Sequence, residues 1–148
     1  MKTPGIRLLL ATLVLVVGCS LMPPRRQYVK EAKRQIIPKE LVNTHWMLES
    51  WNDKTPEGKL TMNLYEKGRF TFYYNDLNFD EDNLWYIVRG SNIAFQTRPI
   101  EKIVWTDELH GLEPGHFALD LRNITDYKVD DGRLILTSTS TKFVFIKI

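Results

Sequence analysis

Cysteine is nearly missing from this chain: Cys19 is the only one in 148 residues. A lone thiol forms no internal disulfide, so no covalent staple supports the fold and core burial has to hold it. The three histidines, His45, His110 and His116, have no second cysteine and no closely paired ligand beside them, which argues against a zinc site. Glycines stand singly, so there is no glycine-rich loop to cradle a phosphate. Ser50, Ser91, Ser138 and Ser140 have no general base and orienting group in a recognisable context, and no catalytic residue, enzyme activity or cofactor is expected. No apolar run reaches the ~20 residues that a helix needs to cross a bilayer. Repeats and low-complexity tracts are absent too.

What the chain does have is a distinctive start. Lys2 and Arg7 form a positive patch, Leu8 to Val17 an apolar stretch, and Gly18 a small residue directly before Cys19. That order is the pattern of a cleaved export signal. Val16-Val17-Gly18-Cys19 resembles a bacterial lipobox, which implies that residues 1–18 are a signal peptide and that Cys19 is acylated as the mature first residue. Ser20, where an aspartate would signal retention, resembles the outer-membrane sorting choice. The expected location is the cell envelope, anchored by lipid to the outer membrane and facing the periplasm.

Charge divides along the chain. Of 20 Lys and Arg, Lys2 and Arg7 fall in the signal, leaving 18 against 18 Asp and Glu. Residues 20–42 hold Arg25, Arg26, Lys30, Lys33, Arg34 and Lys39 against Glu31 and Glu40, so the remainder is acidic. An acidic body argues against nucleic acid as a partner. A basic stretch beside a lipid anchor suits anionic headgroups, although a solvated linker would have the same composition. Pro23-Pro24 block regular structure and Arg25 to Gln35 can form a short helix, so residues 19–40 are expected to be a tether.

From about residue 41 the pattern is that of strands. Trp46 and Leu48, with Ser50, share one face of a first strand, and His45, Met47 and Glu49 the other. Leu60, Met62 and Leu64 alternate with polar neighbours, Glu66-Lys67-Gly68 turns the chain, and Phe70, Phe72 and Tyr74 resume the alternation. After a polar loop over 75–83, residues 84–88 and 93–97 predict a second hairpin through Arg89-Gly90-Ser91-Asn92. Residues 100–105 suit a strand or an extended segment. Phe117, Leu121 and Ile124 then fall at helical spacing, with Pro114 near the start, predicting a helix over 113–125, although Phe117, Leu119 and Leu121 also fit a short strand. Val129, residues 134–137 and residues 143–148 return to strand character, with a turn at Asp130-Asp131-Gly132. The expected fold is mainly β (α+β): a curved antiparallel sheet or partial β-barrel with one helix packed on or into it.

Candidate chemistry is sparse. Asp76, Asn78, Asp80 and Asp82 space oxygen ligands as a calcium loop does, but Glu81 stands where a sharp turn wants Gly and Ile87 where a bidentate Glu belongs. No metal site is expected. Aromatic residues crowd the first two hairpins on both strand faces, which means either double-sided burial or an exposed binding patch. Tyr73, Trp85 and Trp105 are the ligand-binding candidates on that second reading.

Several local patterns together resemble the META domain of HslJ-like bacterial lipoproteins, over about residues 41–148. Thr44-His45-Trp46-Met47-Leu48 followed by Trp51-Asn52-Asp53 looks like its opening strand and turn. Tyr74-Asn75 with Phe79, the stretch Phe117 to Leu121, then Tyr127, Val129, Gly132, Leu134 and Leu136, and finally Phe143 and Phe145 follow in a similar order. The cysteine that the family often has before the central Asn is lacking, and Asp53 and Asp80-Glu81 stand where glycine is usual. The resemblance implies a non-enzymatic role in envelope stress or secretion, through an envelope protein or peptide partner, and supplies no catalytic residues. The alternatives are a lipocalin-like carrier of an apolar ligand and a pilot lipoprotein for a secretion pore.

Overall fold

Period-two alternation in the first half of the domain becomes a meander of paired strands. The computed structural model describes residues 25–78, 84–96 and 113–148. Glu31–Ile148 forms one compact unit. Helix α1 (Arg25–Arg34) ends inside it, followed by β1 (Thr44–Trp51), β2 (Leu60–Leu64), β3 (Phe70–Tyr74) and a short β4 (Leu77–Asn78). Then come β5 (Trp85–Arg89), β6 (Asn92–Gln96), helix α2 (Glu113–Leu121), β7 (Asp126–Asp130), β8 (Arg133–Thr137) and β9 (Lys142–Lys147). All pairings are antiparallel, in the order β4-β3-β2-β1-β9-β8-β7-β6-β5. Every neighbour but one is a neighbour in sequence; the exception is β1 beside β9.

The sheet curls into a partial barrel. Its far strand, β5, comes back to the start of β3: Arg69 forms a single bridge with Trp85, and the Phe70 N–H donates to the Leu84 carbonyl at 3.2 Å. Inward residues of all the longer strands meet in one core that includes Trp46, Leu60, Met62, Phe72, Tyr86, Leu134, Phe143 and Phe145. The Trp46 indole N–H donates to the Thr44 hydroxyl at 2.6 Å, which donates to the Leu41 carbonyl at 2.5 Å, so the buried donor is satisfied.

Helix α2 fills the interior. Phe117, Ala118 and Leu121 are buried, as is Ile124 just past the helix end. Ring centroids of Phe72, Phe143 and Phe145 lie 5.2, 5.1 and 6.4 Å from that of Phe117. The helix stops at Leu121, short of the 125 expected, because Asn123 and Ile124 fold back in tight turns onto Asp120 and Leu121.

Three further details depart from expectation. The loop over 75–83 contains β4, which pairs with β3 as Tyr73 opposite Asn78 and Tyr74 opposite Leu77. A bulge between Leu48 and Ser50 shifts the register on β9, so that Trp51 lies opposite Phe143 and packs against the core. Ser50 therefore does not continue the inward row.

The third departure concerns the segment assigned by composition to the tether. Residues 31–40 pack with the domain: Ala32 is fully buried, and the Gln35 side-chain amide lies along the exposed edge of β5. Its Nε2 donates to the Tyr86 carbonyl at 2.7 Å, and its Oε1 accepts the Val88 N–H at 2.7 Å. One side chain thus replaces one rung of a missing strand and blunts an edge that would otherwise template association. Glu31 pairs with Arg89 alongside.

Burial of Tyr86 has a measurable consequence. Its hydroxyl donates to the Tyr65 carbonyl at 2.8 Å, and desolvation pushes its pKa far above the ordinary tyrosine range. The folded state therefore keeps a proton that the unfolded chain releases near pH 10, so stability falls as pH rises through about 10. Tyr127 adds to the same trend, through burial and then the nearby Glu40 carboxylate. Urea denaturation of Tyr86→Phe between pH 8 and 11 is expected to show a shallower decline than the parent.

Candidate functional site

The shifted register of β1 builds a concavity on the described surface. With Trp51 turned inward, its ring lies 5.4 Å from Phe143 and edge-on to Phe117 at 6.2 Å. Its indole N–H donates to Asp120 Oδ2 of α2 at 3.0 Å. Strand end and helix are thereby held together by a bond across 69 residues of chain.

Asn52 and Asp53 then turn the chain with φ of 49° and 64°, a conformation Asn and Asp tolerate better than most residues. Lys54 comes back to face Trp51, with hydrogen bonds of 2.8 and 3.1 Å between their backbones. Asn52 fixes this turn to β9, since its N–H donates to the Lys142 carbonyl and its Oδ1 accepts the Lys142 N–H, both at 2.8 Å. The turn is a rigid rim.

Between that rim and α2 lies an open cleft of about 480 Å³, lined by Trp51, Asn52, Lys54, Thr55, Pro56, Glu57, His116 and Asp120. His116 and Asp120 are one helical turn apart and share a face of α2. Trp51 supplies an aromatic wall, and Lys54, Glu57 and Asp120 supply both signs of charge. This chemistry suits recognition of a polar, extended segment by hydrogen bonds and ring contact. Among the described residues, no three His, Cys, Asp or Glu side chains gather as metal ligands. A smaller hollow of about 330 Å³ lies among Asn43, Tyr65, Glu66, Arg69 and Thr71.

Of the residues singled out from sequence, Tyr73 and Trp85 fall elsewhere. Tyr73 is half-buried in β3, opposite Thr61 and Asn78. Trp85 is 7% exposed, with the Lys33 ammonium 5.4 Å above its ring. Tyr86 on the opposite face of the same strand is fully buried, so aromatic residues on both faces of β5 are covered. Neither Tyr73 nor Trp85 lines the cleft. Trp105, Cys19, the signal over 1–18, the acidic loop from Phe79 to Asn83 and the segment 100–105 lie outside the described residues. Among the described residues no helix is long and apolar enough to cross a membrane.

Trp51 was the residue that strand periodicity missed. Its only sequence signal is the Trp-Asn-Asp run, in which two turn-forming residues follow a large ring. No protein-family model, curated protein or solved structure matches this chain.

Proposed function

We propose that this protein is a non-enzymatic envelope lipoprotein: a META-like domain, acylated at Cys19, that binds or scaffolds a protein or peptide partner at the outer membrane. The observation that carries the reading is the filled interior. A carrier of a fatty ligand needs an open cavity, whereas here Phe117 occupies the space between β3 and β9. Recognition is thereby left to the outside, and the cleft beside Trp51 offers a rigid rim, an aromatic wall and charges of both signs. An extended segment of a partner, in stress response or in secretion, is the occupant that such a surface suits.

Two measurements test this. Cys19→Ser is expected to move the protein out of the washed membrane fraction, to abolish incorporation of labelled palmitate, and to leave the melting temperature of the domain unchanged. Retention in washed membranes with no label in the parent protein would refute the anchor. For the cleft, Lys54→Glu on the exposed rim is expected to lower recovery of a crosslinked envelope partner. Native mass spectrometry that instead finds a retained lipid in the domain would favour the carrier.

A further inference from the structure

Ile36 is the most exposed large apolar side chain among the described residues, at 95%. Single apolar residues on a surface are ordinary. The mounting of this one is not. On one side, Gln35 is held by two hydrogen bonds to the edge of β5. On the other, Ile37 packs against the core, and the Leu41 and Val42 N–H groups both donate to the Pro38 carbonyl. Fixed neighbours hold the Ile36 side chain out into solvent, so its exposure is built into the fold.

Its charged surroundings have one sign in excess. Arg34 and Lys39 are exposed on either side in sequence. Lys33 is engaged over Trp85, and Glu31 is neutralised by Arg89. Glu40, the remaining acid of this stretch, lies close enough to Tyr127 to act on its hydroxyl. An apolar tip flanked by two exposed cations, neither of them paired with an acid among the described residues, is complementary to an anionic headgroup layer over acyl chains.

We propose that Ile36, flanked by Arg34 and Lys39, is a wedge that seats in the headgroup region of an anionic bilayer and orients the domain on its membrane. The proposal rests on acylation of Cys19, and chain length makes the two compatible. Sixteen residues lie between the two positions, ten of them in helix α1, which limits the span to on the order of 40 Å. At that range a weak contact acts at high effective concentration.

The test uses the full-length lipoprotein carrying Ile36→Cys, labelled with an environment-sensitive thiol dye. Vesicles are of phosphatidylglycerol with phosphatidylethanolamine, or of phosphatidylcholine alone. Thr139→Cys, exposed in the β8–β9 turn, is the control. One dye per chain reports an acylated Cys19; two dyes report a free thiol there and overturn the anchor and the wedge together. With one dye, the expected result is a blue shift and quenching by brominated lipid at position 36 in anionic vesicles, weaker in phosphatidylcholine and absent at position 139. Equal emission at both positions in every vesicle overturns the wedge and leaves the anchor standing. Adding Arg34→Glu and Lys39→Glu is expected to erase the difference between vesicle types; a difference that persists overturns the role of the two cations. Ile36→Ser is expected to leave the melting temperature unchanged.

Discussion

Phe117→Ala is expected to destabilise the domain by about 3–5 kcal/mol, the range for truncating a buried aromatic. Phe117 is fully buried and meets Trp51, Phe72, Phe143 and Phe145, so one ring joins strands from both halves of the sheet to the helix. Such a loss lowers the melting temperature by on the order of 10–20 °C in a domain of this size. The neighbouring exposed His116 serves as control, since His116→Ala on the same helix is expected to change stability by less than ~0.5 kcal/mol. The truncated variant should also acquire an apolar void inside the barrel, and binding of a small aromatic solute that the parent rejects would report it. If Phe117→Ala melts with the parent, α2 is not a plug and the argument against an internal ligand fails with it.

Gly68→Ala is expected to cost a similar amount for a different reason. Gly68 has φ +75°, and a Cβ there would lie 2.6 Å from Gln35 Nε2, 2.7 Å from the Tyr86 carbonyl oxygen and 2.8 Å from that of Ala32. The first atom can move; the two carbonyls belong to β5 and to α1 and cannot both yield. Gly90 provides the comparison. Its φ is +59°, but a Cβ there would meet nothing within 4 Å. Gly90→Ala should therefore show only the left-handed backbone penalty of roughly 1–2 kcal/mol. Gly68→Ala adds displacement of packed backbone, about 1–3 kcal/mol more. The difference between the two variants in urea denaturation isolates the steric part. Hydrogen exchange locates it: the Val88 amide, which donates to Gln35, should lose protection while amides between β2 and β3 keep theirs. Equal costs at the two glycines would show that α1 and β5 are not tightly apposed.

How far these features were legible follows from the range of the interactions behind them. The β2–β3 and β5–β6 hairpins and the last strands were readable because Leu60, Met62 and Leu64 or Phe143 and Phe145 alternate locally, and because Lys67-Gly68 and Gly90 mark turns. The α2 stripe was legible only in part: Phe117, Leu121 and Ile124 fall at helical spacing, but Phe117, Leu119 and Leu121 also alternate as a short strand would. The bulge in β1 was not, since nothing near Glu49 encodes it; the register of β9 imposes it on a strand almost a hundred residues away in sequence. Gln35 looked like the end of a linker because its partners, Tyr86 and Val88, are 51 and 53 residues distant. For the same reason the cleft was invisible: it exists only once Trp51 reaches Asp120. Tyr73 and Trp85 drew notice as rings on the unexpected face of a strand, a pattern that covering from outside satisfies as well as a ligand does.

The adjacency of β1 and β9 has a consequence for how the molecule comes into being. A nascent or translocating chain presents β1–β4 long before residues 142–147 emerge, and until then Trp46 and Leu48 have no partner on that flank. The greasy inner wall of the early meander is therefore left unsheltered for most of synthesis or export. A chaperone able to shield it over that interval would keep the unfinished meander from associating with other chains.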